Sequence, residues 1–249
     1  MEPQLNKRLT IKIKKISLDK LISTTVFITL VVSIIFVIYR IITAPSDDIP
    51  ADNETKRLKS DYALMLMQCT LGLFIMLLPG LISKKLRIEI PNMMHIMFVI
   101  FLYCAIYLGE VRSFYYQFRN WDVLLHGMGG AMLGALGFSF VTFLNKSERV
   151  PVNLSPLFIA LFAFCFAIML GVLWEIYEYL ADGLLGLNMQ KFAREDGTLL
   201  IGRAALNNTM KDLIVDNFGA LAMSILGYVS LKYKKGWIEK LLIRKRKQG

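Results

Sequence analysis

The sequence predicts an all-α membrane protein, a bundle of about six transmembrane helices, and three observations carry that expectation. Hydrophobic residues make up 55% of the 249 positions, and they come in long unbroken blocks, not in the stripes of a soluble amphipathic helix. Blocks of about 20 apolar residues match the roughly 30 Å hydrocarbon core of a bilayer at 1.5 Å rise per residue. The basic residues behind the formal charge of +10 gather at the two chain ends, in NKRLTIKIKKISLDK and KYKKGWIEKLLIRKRKQG. Such flanks anchor spans and attract anionic lipid, so the charge indicates a bilayer as partner and no nucleic acid.

The first span covers 21–43. Its apolar run is longer than the core of a signal peptide, and no small-residue cleavage pattern follows, which favours an uncleaved anchor. A polar segment at 44–61 leads to the second span, 62–82, which ends near Pro79 and Gly80 before Lys84, Lys85 and Arg87. Pro91 opens the third, 91–109, as a natural first-turn residue. The fourth covers 121–144 and is rich in small residues (Gly127, Gly130, Ala131, Gly134, Ala135, Gly137), which let neighbouring helices approach closely. The fifth covers 157–180 and the sixth 209–231. Between them lies a long connection, 181–208, whose REDGTLL holds an Asp-Gly turn signal. It either folds back onto the neighbouring helix ends as a cap or stands as a solvated loop. The whole chain reads as one membrane domain with basic tails at 1–20 and 232–249.

With the N-terminus inside, inner segments hold 19 Lys and Arg and outer segments hold 10. The excess places both termini in the cytoplasm of a protein of the cell membrane.

On that map the ionisable groups of the last four spans fall in one layer, on the outer side. Glu110 ends span three, and Asp122 and His126 open span four. Glu175, Glu178 and Asp182 close span five, and Asp212 and Asp216 open span six. Spacings of three and four put each pair on one helix face. A carboxylate facing lipid costs at least a few kcal/mol, so these faces turn inward. Clustered carboxylates then need shared protons, a basic partner or a bound cation. Arg203 and Arg194 are the candidate basic partners. A divalent metal held by Asp122, His126, Glu178, Asp212 and Asp216 is chemically reasonable, with His126 the sole imidazole.

Competing readings stay open for several of these residues. Glu110, Asp122 and Asp182 also fit carboxylates at the headgroup level, and the whole set fits a structural proton-sharing network. Trp121, Trp174, Tyr177 and Tyr179 read first as interfacial aromatics, with substrate contact the second reading for Trp174. His95 reads as an interfacial histidine at the other end, and Met93, Met94 and Met97 as core filling. Cys69, Cys104 and Cys165 lie singly in apolar blocks without a CxxC spacing. The chain has no HExxH, no phosphate-binding glycine loop and no glycine-flanked serine nucleophile.

In order along the chain, WDVLLHGMGGAMLG, WEIYEY and DLIVDNFGALAMSILG resemble the YjdF-like family of bacterial membrane proteins, and more distantly the VanZ-like proteins of the cell envelope. The latter resemblance implies site positions at Asp122 and His126, Glu175 or Glu178, Arg203, Asp212, Asp216 and Gly219. The chain departs from it in having Asp216 where VanZ-like proteins carry Asn. The expectation that follows is a metal-assisted membrane enzyme acting on a lipid or envelope-linked substrate. Its catalytic groups would be His126, Glu175, Glu178 and Asp216, with Arg203 and Trp174 touching substrate. Two alternatives stand beside it, a cation or proton transporter and a structural or partner-binding membrane protein. The sequence sets no oligomeric state.

Overall fold

In the computed structural model, described for residues 17–43, 59–145, 153–194 and 198–246, six helices are long and apolar enough to cross a membrane. They are α1 (Leu18–Thr43), α2 (Lys59–Leu86), α3 (Asn92–Leu102), α5 (Trp121–Asn145), α6 (Pro156–Leu185) and α7 (Arg203–Lys232). The third span continues from α3 into a π-helical stretch, Tyr103–Val111, and the short α4 (Phe114–Gln117) follows it. Large apolar side chains such as Ile35, Phe74, Leu161 and Phe218 point outward and stay exposed. Water would make such a surface aggregate, whereas lipid tails solvate it and each helix satisfies its own backbone. The protein is therefore a multi-pass membrane protein.

The helices pack as two triplets. Leu30 of α1, Cys69 of α2, and Val99 and Ile106 of the third span form one core. Phe138 and Val141 of α5 with Ile159 and Ala163 of α6 form the other, joined by Met223 and Tyr228 of α7. In the second triplet α5 and α7 cross with backbone against backbone. A Cβ on Gly219 would run into the carbonyl oxygen of Gly127, and one on Gly130 into the carbonyl of Asp216. Small residues at both positions are what allow this approach.

Helix ends follow local chemistry. Ser155 caps α6, its hydroxyl accepting from the Phe158 amide at 3.2 Å, with Pro156 at the first helical position. Gly186 ends the same helix in the left-handed region at φ 64°. Some boundaries differ from the sequence expectation. The second span does not stop at Pro79 but runs on to Leu86, since one missing backbone hydrogen bond is tolerated in a packed span. The last span starts at Arg203 instead of 209, because Ala204, Ala205 and Leu206 favour helix, and the connection shrinks to 186–202.

The C-terminal segment is also more than a basic tail. Ile238 and Leu242 are buried against Phe138 and Ile159, and the Ile243 amide donates to the Ser139 hydroxyl at 2.6 Å. Beyond them β2 (Arg244–Lys245) pairs antiparallel with β1 (Ile88–Glu89). At this end His95 is no plain interfacial histidine, for its Nδ1 lies 2.6 Å from Asp19 Oδ1.

Replacing Gly219 with Val is expected to force α5 and α7 apart at a cost of about 1–3 kcal/mol. Gly80→Ala, whose new methyl would meet nothing within 4 Å, is expected to leave stability unchanged or raise it. Thermal unfolding of both variants in detergent checks the contrast.

Candidate functional site

The crossing of α5 and α7 sets the site. His126 of α5 faces Asp216 of α7, Nδ1 to Oδ2 at 3.3 Å, and its Nε2 is 3.8 Å from Asp122 Oδ1 one turn earlier. Asp122 Oδ2 also accepts from the Asn208 amide at 3.4 Å. One ligand-capable atom from each of Asp122, His126 and Asp212 lies within 4.8 Å of the other two. Helix α6 supplies the third wall. Gly171 faces the Asp216 carboxylate, so that a Cβ there would sit 3.0 Å from Oδ2. One turn on, Glu175 is 4% exposed, and neither of its carboxylate oxygens makes a hydrogen bond among the described residues, although the Gln190 amide stands close. Asp212 is 2% exposed and its Oδ1 is likewise without a partner there. Glu178, half-buried, feels the charges of Glu175, His126 and Asp122.

The remaining acids at this end do different work. Asp182 turns its carboxylate to the backbone, accepting from the Met189 amide at 2.6 Å and the Gln190 amide at 2.9 Å. These bonds, with the Gln190 side chain donating to the Thr209 hydroxyl at 2.9 Å, fold the 186–202 connection back over the helix ends. Asp196 and Gly197, the expected turn, lie outside the described residues, while Ala193 and Leu199 on either side form an antiparallel bridge. The folded segment carries Lys191, a non-glycine residue in the left-handed region at φ 51°. Its ammonium lies 3.5 Å from Glu110 Oε1 and 4.8 and 5.2 Å from the ring centres of Tyr115 and Tyr116. Glu110 also accepts from Gln68 of α2 at 3.4 Å. Burial works against the Lys191 charge, but Glu110 foremost, with Tyr116, Asp122 and Glu178 behind it, more than offsets this and holds the ammonium above the usual lysine range.

The π-helical stretch positions Glu110. Its wider turns leave carbonyls available to neighbours, and the Trp121 indole donates to the Cys104 carbonyl at 3.3 Å, tying the start of α5 to the third span. Ser113, left-handed at φ 60°, then turns the chain into α4 beneath Lys191.

The structure thus brings together Asp122, His126, Glu175, Glu178, Asp212 and Asp216. It does not bring Arg203 or Trp174 to them. Arg203 is exposed at the first residue of α7, about 13 Å along the helix from Asp212 at 1.5 Å per residue, and forms no ion pair among the described residues. Trp174 is 43% exposed and packs against Tyr177 at 5.3 Å. The cation that faces these acids is Lys191, half-buried, which the sequence expectation of Arg203 and Arg194 did not include. Lys191 is the only lysine of the α6–α7 connection, but nothing in the residue spacing ties it to Glu110.

A six-span helical bundle with an acidic cluster inside one end places the protein among polytopic membrane proteins. The chain belongs to the family described as "Predicted membrane protein (DUF2238)", whose model matches residues 22–233. It is similar to a protein of Thermotoga maritima named "Uncharacterized protein", 29% identical over 164 residues that cover 64% of this chain and 76% of that protein. No solved structure matches it.

Removing the Lys191 charge with Lys191→Met is expected to cost about 1–3 kcal/mol, the scale for leaving a buried acceptor short of its partner. Adding Glu110→Gln should recover most of the loss, measured as thermal unfolding or as protease cleavage within 186–202. The folded value lies above the ordinary lysine value of about 10.4, so the lysine's own contribution is fully present below that pH and fades only as pH rises through the folded value. Protease protection of the connection should therefore be flat between about pH 6 and 9.

Proposed function

We propose that the cluster is the active site of a metal-assisted membrane enzyme acting on a lipid or envelope-linked substrate. The observation that carries the reading is the trio Asp122, His126 and Asp212, whose ligand atoms converge from two helices around a buried carboxylate oxygen without a partner. Buried charges of one sign are expensive unless something neutralises them, and a divalent cation held by these residues would do so. With its proton on Nδ1, His126 donates to Asp216 and keeps the Nε2 lone pair towards Asp122, the orientation that a carboxylate imposes on metal-binding histidines. A metal so held supplies Lewis acidity and lowers the pKa of a bound water. Glu175 and Glu178 are then placed to take and return a proton.

The surroundings suit an anionic headgroup. Arg112, Arg119, Arg194, Arg203 and Lys211 are exposed at this end and would draw phosphate-bearing lipid towards the bundle. The excess of Lys and Arg in the opposite segments supports a cytoplasmic placement of both termini in the cell membrane, with the cluster on the outer side. The resemblance of the helix motifs to YjdF-like and VanZ-like proteins supports an envelope role. A transport pathway is less favoured, since no Asp, Glu, Lys or Arg interrupts 128–145 of α5, 156–174 of α6 or 217–231 of α7.

Divalent metal added to chelator-stripped protein should raise its unfolding temperature, by about 2.7 kcal/mol of stabilisation at a hundred times the dissociation constant. The variant pairing His126→Ala with Asp212→Asn should not respond. A wild-type protein indifferent to every divalent ion contradicts the reading. Ion flux in liposomes that the same substitutions abolish would replace it with transport.

A further inference from the structure

We infer that residues 186–194 form a gate over the acidic cluster, closed in this structure and latched by Gln190 and Lys191. The inference rests on the reading of the cluster as a site and names the way into it.

Burial poses the question. Asp212, Asp216 and Glu175 are all buried, and a ligand reaches acids so enclosed only where a wall opens. Which wall opens is decided by what holds each one. Helices α5 and α7 meet backbone to backbone at Gly127 and Gly219, and α6 closes on α5 with the backbone of Ala163 against Gly137. Parting those helices would undo the packing of the second triplet. The segment 186–194 is fastened to the helices by side chains, so its opening disturbs the least structure.

Two neighbouring residues of that segment reach to different helices. The Gln190 amide donates to the Thr209 hydroxyl at 2.9 Å and stands against Glu175, so it spans α7 and α6. Thr209 lies three residues before Asp212 and shares its helix face, which puts this tie directly over the cluster. Lys191 reaches to the third span, 3.5 Å from Glu110 Oε1 and over the rings of Tyr115 and Tyr116, and its ammonium also feels Asp122 and Glu178. The segment holds its own shape, since the Asn188 side chain donates to the Ala193 carbonyl at 2.8 Å and accepts from its amide at 3.0 Å. It can therefore swing as one piece about Gly186, whose left-handed turn has open space around it. Lys191 itself is held in a left-handed conformation that release would relax. A rigid flap with a hinge, two ties and a strained residue at one tie is the construction of a gate.

The test uses the full chain in detergent with its own cysteines replaced and one thiol introduced by Asp212→Cys, probed with a charged, water-soluble methanethiosulfonate reagent. With the segment unaltered, labelling should be much slower than in the urea-unfolded chain. Lys191→Met should speed it about tenfold, the effect of about 1.4 kcal/mol on the open population. Adding Glu110→Gln should bring the rate most of the way back, and Gln190→Ala, which cuts the other tie, should speed labelling independently. A reference thiol from Ser139→Cys, buried near the other end of the bundle, should stay protected in every variant. A thiol at 212 that reacts at the unfolded rate in the unaltered chain, or whose rate neither Lys191→Met nor Gln190→Ala changes, overturns the gate. So does a reference thiol that speeds up in step, which reports loosening of the whole bundle. Each of these results leaves the metal reading standing, since metal-induced stabilisation tests that separately.

Discussion

The backbone contact between α5 and α7 is the constraint on which the rest of the structure depends. Gly127 and Gly130 on one helix and Gly219 on the other let the two helices touch without side chains between them. Asp212 and Asp216 lie on α7 within two turns of the contact, and Asp122 and His126 stand on the same stretch of α5. Close approach thus converts four polar residues on two helices into one cluster. A wider crossing would leave each carboxylate against lipid, where it costs several kcal/mol. Packing by small residues and the chemistry of the site are therefore one feature of the molecule. The burial that makes the cluster costly alone is also what would strengthen the hold on a neutralising cation.

Around that centre the remaining polar groups hold the end of the bundle shut. Asp182 orders the start of the α6–α7 connection through two backbone amides, and Lys191 fastens its middle to the third span through Glu110 and two tyrosine rings. Leu187 and Met189 from the same connection pack on Leu64 of α2. The connection is thus the bridge between the two helix triplets at this end, while the docked C-terminal segment and the pairing of β1 with β2 bridge them at the other.

Most of this architecture was legible in the residues themselves. Apolar block length decided the number of spans, since bilayer thickness sets a length that no tertiary contact overrides. The helical spacing of Asp122 with His126 and of Asp212 with Asp216 placed each pair on one face, and the structure joins the two faces. Three things were not legible. The start of α7 at Arg203 was missed because the segment before Thr209 is polar, and helix propensity alone extends it. The division of the acids into a cluster and a latch could not be read, because Asp182 and Glu110 differ from their neighbours only in what the folded connection brings to them. Lys191 was hidden for the same reason. Its partner is 81 residues away, and no periodicity reports a contact of that kind.

The convergence of α5 and α7 is tested most directly by thiols at Asp122 and Asp212, introduced together in a chain whose own cysteines are replaced. A cadmium ion should bridge the two thiols and protect both from maleimide at a lower cadmium concentration than either single-thiol chain requires, with both thiols reached from the same face of the membrane. Labelling that cadmium does not change, or thiols reached from opposite faces, would show that the two helices do not share a site.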